Sequence, residues 1–579
     1  MQQFEHYAII HRRLIAGIFF FVCSFFILCA RLYFLQIIQH EKYITLAEDN
    51  RINIHLILPR RGEIIDRNGV KLVYNMPRYT AILTREQNNP VSSLEAAQNI
   101  LDLKPEDIKR ISRDLKDKPR HIPITIKDYL SWEEVASLEL HLFNLPGIQV
   151  LQGYKRYYPL KNRASHILGY VAAPNQKEVE KDKSLMLPGT LVGKNGIEKY
   201  YNEILQGVFG QKEVEVDARG RVVRILKEKE PIEGDPIQLT IDVRLQEFME
   251  EKLRPYQAAA AVVLKVDTGE ILGYVSMPGY DPNEFVQGIS HDLWNSLRDD
   301  PLSPLTNKVI QGTYSPASIF KILVGLAALE YKPEATKKIH TCPGFINLGG
   351  HRFHCWKKIG HGVVNLIEAF KQSCDVYFYR LAQEISEKII LRMVNLLQLT
   401  DKTGIDLPGE VRGLISTPEW KRRTRNEGWY PGDTILLSIG QGSTHLTPLQ
   451  TAQMLAIIVN GGKRITPHLW KNKSFEGTDL GISSYARGHI MKGLDKAVNE
   501  VGGTGYRSRI TTPGQEMGGK TATAQVRRIS MAERKTGVLR GESLPRHQRD
   551  HSLFVGYAPV KKPQFVAFVI VEHGGWGSK

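Results

Sequence analysis

Leu14 to Ala30 form a run of seventeen residues without a charged side chain, and after Arg31 the apolar character resumes in LYFLQII. A bilayer core offers no water to a peptide group, so one segment of this kind satisfies its own N–H and C=O groups only as a helix. Spanning takes about 20 residues, and an Arg near one end reaches the headgroups on its flexible stem. A cleaved secretion signal would need small residues at the cut. Leu28-Cys29-Ala30-Arg31 suits that poorly, and the bulky Leu28 also opposes lipidation of Cys29. His11, Arg12 and Arg13 set the N-terminus on the cytoplasmic side. The expectation is a cytoplasmic tail over 1–13, a transmembrane anchor over 14–37, and a remainder lying across the membrane.

That remainder is too long for one core, since single cores stop growing near ~250–300 residues. A formal charge of +16 favours an anionic partner. No zinc-finger spacing, RNA-binding signature or sustained basic run points to nucleic acid, so a membrane surface is the better match. Of the five cysteines, Cys23 and Cys29 lie in the anchor. Cys342, Cys355 and Cys374 share one short stretch beyond it, and three thiols cannot all pair as disulfides.

After the anchor, RGEIIDRNG (61–69) predicts a strand and an Asn68-Gly69 turn. Residues 76–185 mix helical stretches, such as Ser93–Leu103, with extended ones and carry no catalytic motif. A Gly-punctuated segment from Gly193 to Gly210 has helix-like spacing at Ile197, Tyr200, Tyr201 and Ile204. This gives a pedestal over 38–225, a charged Pro- and Gly-bearing linker over 226–236, and a C-terminal domain over 237–579. In that last domain QLTIDV (238–243) is strand-like, and residues 258–275 predict two strands joined at Asp267-Thr268-Gly269. Helices follow, then strand candidates at Lys520–Arg527 and Leu553–Val571. Early strands, a helical middle and late strands imply an α+β fold, an antiparallel sheet flanked by helices.

Three short motifs carry chemistry. Ser318 and Lys321, at i and i+3 of a helix, share a face about one turn apart. A free hydroxyl is a poor nucleophile and needs an adjacent base. A partly desolvated lysine with a lowered pKa can supply one. Ser373-Cys374-Asp375 offers a second hydroxyl as proton relay with a polar neighbour. Gly518-Gly519-Lys520-Thr521-Ala522-Thr523 combines small residues, which let a strand edge approach a substrate, with a charge and hydroxyls for a carboxylate.

In this order the three resemble the S-x-x-K, S-x-N and K-T-G motifs of penicillin-binding proteins and serine β-lactamases. The resemblance extends to GTYSPAS (312–318), TGIDLPGE (403–410), SIGQG (438–442), TPLQ (447–450), VGYAP (555–559), RGEIIDRNG and the Gly193–Glu198 segment, and so covers nearly the whole chain. It is closest to class B, in the elongation-type penicillin-binding protein 2 branch. Asp375 stands where many relatives have Asn, and Ala522 where Gly is usual. Lys535-Thr536-Gly537 repeats the third tripeptide literally, but among Arg528, Arg534, Arg540, Arg546 and Arg549 it reads as a solvated loop.

The resemblance implies a transmembrane helix, a pedestal or dimerisation-like domain, and a transpeptidase domain of the β-lactamase-like fold. It further implies that Ser318 attacks the penultimate D-Ala of a peptidoglycan stem peptide, with Lys321 as base, Ser373 as relay and Asp375 beside it. Lys520, Thr521 and Thr523 would hold the terminal carboxylate, and the N–H groups of Ser318 and Thr523 the oxyanion. An amine from a neighbouring strand would resolve the acyl-enzyme, water would give a carboxypeptidase side reaction, and β-lactams would inhibit. With no glycosyltransferase module, the implied partner is a polytopic membrane glycosyltransferase of the elongation complex with its shape proteins. The implied location is the bacterial inner membrane, single-pass, with a periplasmic catalytic domain. Relatives also continue past the last strand into a covering helix, whereas this sequence ends at Lys579.

Cys342, Cys355, His361 and Cys374 form a Cys₃His set suited to tetrahedral zinc, one ion per chain. The spacing is irregular, so the reading rests on clustering and on Cys374 lying inside the second motif. Some elongation-type relatives look as though they hold a metal there. A disulfide plus one buried thiol is the alternative, and His351 and His354 are nearby substitutes. The competing functions are a membrane-bound β-lactamase or β-lactam sensor, and a catalytically silent scaffold of the elongation complex.

Overall fold

The computed structural model describes the chain except residues 1, 42–51, 85–89, 119–121, 146, 217–221, 528–532, 534–542, 576, 578 and 579. The tripeptide at Lys535–Gly537 therefore lies outside the described residues. One helix runs over Gln2–Tyr33 and continues as a π-turn over Phe34–Ile38. Its segment His11–Ile38 is long and apolar enough to cross a membrane, and it leaves Phe19, Phe20 and Phe21 exposed.

The pedestal has two cores. The outer one joins Ala81, Leu83, Leu101, Ile111, Ile124 and Leu138, under strands Lys71–Leu83, Ile124–Lys127 and Ile148–Tyr157 and the helices that cover them. The inner part shares its core with the C-terminal domain, through Ile64, Leu72, Tyr158, Ile197 and Leu205. At the predicted turn, Ile64–Ile65 folds back on Lys71–Leu83. The Asp66 carboxylate accepts from the N–H groups of Asn68 and Val70, at 2.7 and 2.8 Å, and Gly69 takes φ +88°. The Gly193–Gly210 segment holds two short helices, Gly196–Tyr200 and Asn202–Gln206. Ile197 is buried but Tyr200 faces solvent.

The segment read as a linker differs from that expectation. Its first four residues finish the strand Val222–Lys229, which pairs with Gly210–Val216. Gly234 then packs so closely on Leu205 that a Cβ there would lie 1.9 Å from its carbonyl oxygen. Charge and proline mark an edge strand and a tight crossing as readily as a free tether.

In the C-terminal domain β1 (Ala259–Lys265) and β2 (Ile271–Met277) form the predicted hairpin. Most of QLTIDV is not strand: only Ile237–Gln238 pairs regularly, in parallel with Ile64–Ile65. The helical middle includes α1 (Lys321–Tyr331), α2 (Asp375–Leu396), α3 (Pro448–Val459) and α4 (Ser484–Asn499). Strands β3 (Gly518–Ala524), β4 (His551–Ala558) and β5 (Phe565–Val571) complete an antiparallel sheet in the order β2-β1-β5-β4-β3. The single candidate at Leu553–Val571 is thus a hairpin, broken at Val560-Lys561-Lys562-Pro563, because Pro cannot donate to a ladder. Helix α1 is buried from Lys321 to Leu329, as an Ala/Leu-rich helix apolar all round must be. The sheet and helices thereby bring the edge strand β3 beside the start of α1.

Candidate active site

Ser318 sits in a 3₁₀ turn, Ala317–Ile319, one turn before the first residue of α1, Lys321. The serine is half-buried, whereas Lys321 is fully buried. The turn is strained, with Ala317 at φ +46°, and a partner holds it. The Ala317 N–H donates to the Gly440 carbonyl at 3.2 Å and the Ser315 hydroxyl to the same oxygen at 2.5 Å. Any Cβ at Gly440 would come within 2.6 Å of Ala317 and Phe320, which explains the glycine in SIGQG.

The second motif lies where α2 begins. Cys374 is the N-cap and Asp375 the first helical residue, so the carboxylate meets the positive end of the helix dipole. Lys321 Nζ donates to Asp375 Oδ1 at 2.6 Å, to the Ser373 carbonyl at 3.0 Å and to Ser373 Oγ at 3.3 Å. Burial pushes the Asp375 carboxyl up, and Lys321 opposes the shift. Ser373 takes φ +55°, a left-handed conformation uncommon for serine.

The third motif is the edge strand β3. Lys520 is fully buried. Burial first, and then the Lys321 charge, push its ammonium well below the usual lysine range. Thr521 Oγ1 donates to Thr504 Oγ1 at 2.9 Å. The paired glycines also have a packing reason within the sheet. A Cβ on Gly518 would strike the Tyr557 ring at 2.6 Å, and one on Gly519 the Phe554 ring at 2.6 Å, so they clear the rings of β4.

Next to this centre the excursion over 340–364 gathers the Cys₃His set. Two glycines at positive φ make the crossings: a Cβ on Gly344 would lie 2.2 Å from the Lys358 carbonyl oxygen, and one on Gly360 2.1 Å from that of Cys342. The ligand atoms of Cys342, Cys355, His361 and Cys374 all lie within 4.8 Å of one another. His361 Nδ1 is 3.6 Å from Cys342 Sγ and 3.4 Å from Cys355 Sγ. The Cys355–Cys374 contact pushes the Cys355 thiol down and the Cys374 thiol up, as when two sulfurs share one proton. No sulfur–sulfur bond joins Cys342, Cys355 or Cys374 in the structure. His351 and His354 belong to the hairpin strand His351–His354, outside the four.

Trp356 was not legible as a site residue. It follows Cys355 and touches the second motif through both its main-chain N–H and its indole. TGIDLPGE does structural work: Asp406 accepts from the N–H groups of Leu469 and Trp470 and from the hydroxyl of the pedestal's Tyr201.

A serine at a helix start, its lysine neighbour bonded to a second serine motif, and a lysine-bearing edge strand define a serine acyl-transferase with the β-lactamase-like layout. The chain belongs to the penicillin-binding proteins: residues 259–579 match the penicillin binding protein transpeptidase domain and residues 56–239 the penicillin-binding protein dimerisation domain. It is 36% identical to peptidoglycan D,D-transpeptidase MrdA of Acinetobacter baumannii, over 98% of this chain and 86% of that protein. It is 35% identical to the MrdA of Escherichia coli K12, over 95% of this chain and 89% of that protein. Among solved structures it is similar to penicillin-binding protein 2 of Helicobacter pylori in complex with MreC, with TM-score 0.81 and 31% identity, covering 91% of this chain and 96% of that one. A chain of a peptidoglycan synthase complex that coordinates polymerization and crosslinking matches with TM-score 0.70 and 28% identity, covering 98% and 96%.

Proposed function

We propose that this chain is a peptidoglycan D,D-transpeptidase of cell elongation that works through an acyl-enzyme on Ser318. The observation that carries the reading is that buried Lys321, one turn after Ser318, bonds Ser373 and Asp375 of the second motif and acts electrostatically on Lys520 of the third, some two hundred residues on. Similarity to transpeptidases named MrdA along almost the whole length supports it. Lys321, in its neutral amine form, takes the proton as Ser318 Oγ attacks the carbonyl carbon of the penultimate D-Ala. Ser373 passes a proton to the departing amine, and the peptide bond breaks as terminal D-Ala leaves. Lys520, Thr521 and Thr523 hold the terminal carboxylate, and the Ser318 and Thr523 N–H groups face the oxyanion, where one donor is worth about 3–4 kcal/mol. An acceptor amine then attacks the ester and frees Ser318. In intact-mass spectrometry after penicillin treatment, one adduct should form and vanish in Ser318→Ala. An adduct surviving that change would refute the assignment.

The anchor holds the chain in the inner membrane with its catalytic domain in the periplasm, and the pedestal contacts a polytopic glycosyltransferase and an MreC-like protein. Relatives solved with MreC and within a synthase complex support this. Purified alone, the chain should not polymerise lipid-linked disaccharide.

The Cys₃His set fits zinc. Tetrahedral bonds of about 2.3 Å to sulfur and 2.0–2.1 Å to nitrogen separate those two donors by about 3.5 Å. The Nδ1–Sγ distances of 3.6 and 3.4 Å bracket that value. Cys342, Cys355, Cys374 and His361 would hold the ion as a structural centre fixing the loop and the start of α2. Elemental analysis of protein purified without added metal should give one zinc per chain; well under one, with two of these cysteines disulfide-bonded, would refute it.

A further inference from the structure

Trp356 makes two hydrogen bonds to the second motif and one to the residue just before it. Its main-chain N–H donates to Asp375 Oδ2 at 2.9 Å. Its indole Nε1–H is shared between the carbonyls of Gln372 and Ser373, both at 3.1 Å. The ring is T-shaped to that of His361, with centroids 5.3 Å apart, while 44% of the residue stays exposed.

The Ser373 carbonyl is also one of the three oxygens that receive Lys321 Nζ. It belongs to a residue at φ +55°, and a serine persists there only when its surroundings over-determine it. Two donors from different elements meet on that oxygen: the ammonium from α1 and the indole from the 340–364 excursion. An ammonium that must give and take protons makes a variable anchor, because its bond changes character with each transfer. An indole N–H donates at every stage.

We infer that Trp356 is a positioning residue for the acyl transfer: its indole N–H pins the strained Ser373 carbonyl, keeping the Ser373 hydroxyl and Asp375 aligned on Lys321 while the proton moves. This deepens the transpeptidase reading and rests on it. The test replaces Trp356 in the full-length, detergent-purified protein with 3-benzothienylalanine, whose sulfur keeps the ring shape but removes the donor. Trp356→Phe serves as a second variant and a ring-fluorinated tryptophan, which keeps the N–H, as the rescue. Stopped-flow acylation by a penicillin separates the maximal acylation rate from the half-saturating concentration. The benzothienyl protein should lose roughly 3- to 10-fold in maximal rate, the range set by one neutral hydrogen bond. Its half-saturation, melting temperature and zinc content should be unchanged, and the fluorinated form should acylate normally. An unchanged maximal rate would overturn the proposal. So would a change confined to half-saturation, which would make Trp356 a shelf for the ligand, or one confined to melting temperature, which would make it a cover for His361. Ser318→Ala, run in parallel, separates the two readings: if it still acylates, the site assignment has failed, and if only it is dead, the Trp356 inference alone has failed.

Discussion

Two buried knots of charge, one in the pedestal and one at the catalytic centre, use the same elements to opposite ends. In the pedestal Glu198, fully buried, accepts from Arg61 Nε and Arg156 Nε, each at 2.6 Å, and from the Tyr158 hydroxyl at 3.3 Å. Arg61 also reaches Asn202, and Arg156 reaches Asn75. Burial would raise the Glu198 carboxyl, but Arg156 and Arg61 hold it below the usual range. At the catalytic centre the cations are lysines, Lys321 and Lys520, and the one carboxylate, Asp375, is pushed up. Guanidinium keeps its proton at any ordinary pH, while a buried ammonium can lose one. The first knot ties distant segments of the pedestal together, the second is the one proposed to move protons, and the choice of Arg or Lys fits that division.

Breaking each knot tests that contrast. The largest effect should come from Lys321→Ala. Losing the base should slow acylation by about 10²–10⁴-fold. The fold should survive, because the Asp375 carboxyl, already pushed up by burial, takes a proton once its partner is gone. Penicillin acylation and thermal melting on the same sample check both halves. Acylation within tenfold of wild type would remove Lys321 as the base.

Glu198→Ala should show the reverse pattern. Removing one partner of a buried ion network strands the others and costs about 3–5 kcal/mol. The denaturation midpoint should fall accordingly, whereas the acylation rate of the protein still folded should hold. An acylation loss at full stability would mean the pedestal knot communicates with the site.

Legibility in the sequence followed the same division. Ser318, Lys321, Ser373, Asp375 and Lys520 were readable because proton and acyl transfer demand those residue types, and the structure brings Ser373, Asp375 and Lys520 directly or electrostatically onto Lys321. The Cys₃His set was readable by clustering alone. Trp356, Gly440 and Thr504 were not, because they act through backbone bonds, close approach or a single hydroxyl contact that any sequence pattern permits. The hairpin hidden in Leu553–Val571 escaped because both of its strands are apolar and only the short stretch 559–564 intervenes. The Arg61–Glu198 contact spans 137 positions and left no local signal beyond the two motifs that contain its ends.

The smallest expected effect, and the sharpest on the contrast, is in pH. In the proposed mechanism Lys520 holds a carboxylate only while protonated, and burial with the Lys321 charge makes it release its proton well below 10.5. Affinity for a carboxylate-bearing penicillin should therefore decline as pH rises through a midpoint under the ordinary lysine range. The methyl ester of the same drug should show no such limb. Stability should move the other way. Between the folded-state pKa and 10.5 the unfolded chain binds more protons than the folded one, so raising the pH through that window should stabilise the fold. The pedestal knot, whose cations are guanidinia, should add nothing to this trend, and Glu198→Ala should leave the limb in place. Equal limbs for acid and ester, or a midpoint at 10.5, would mean that Lys520 is an ordinary ammonium, and that the low-lying proton at this centre belongs elsewhere.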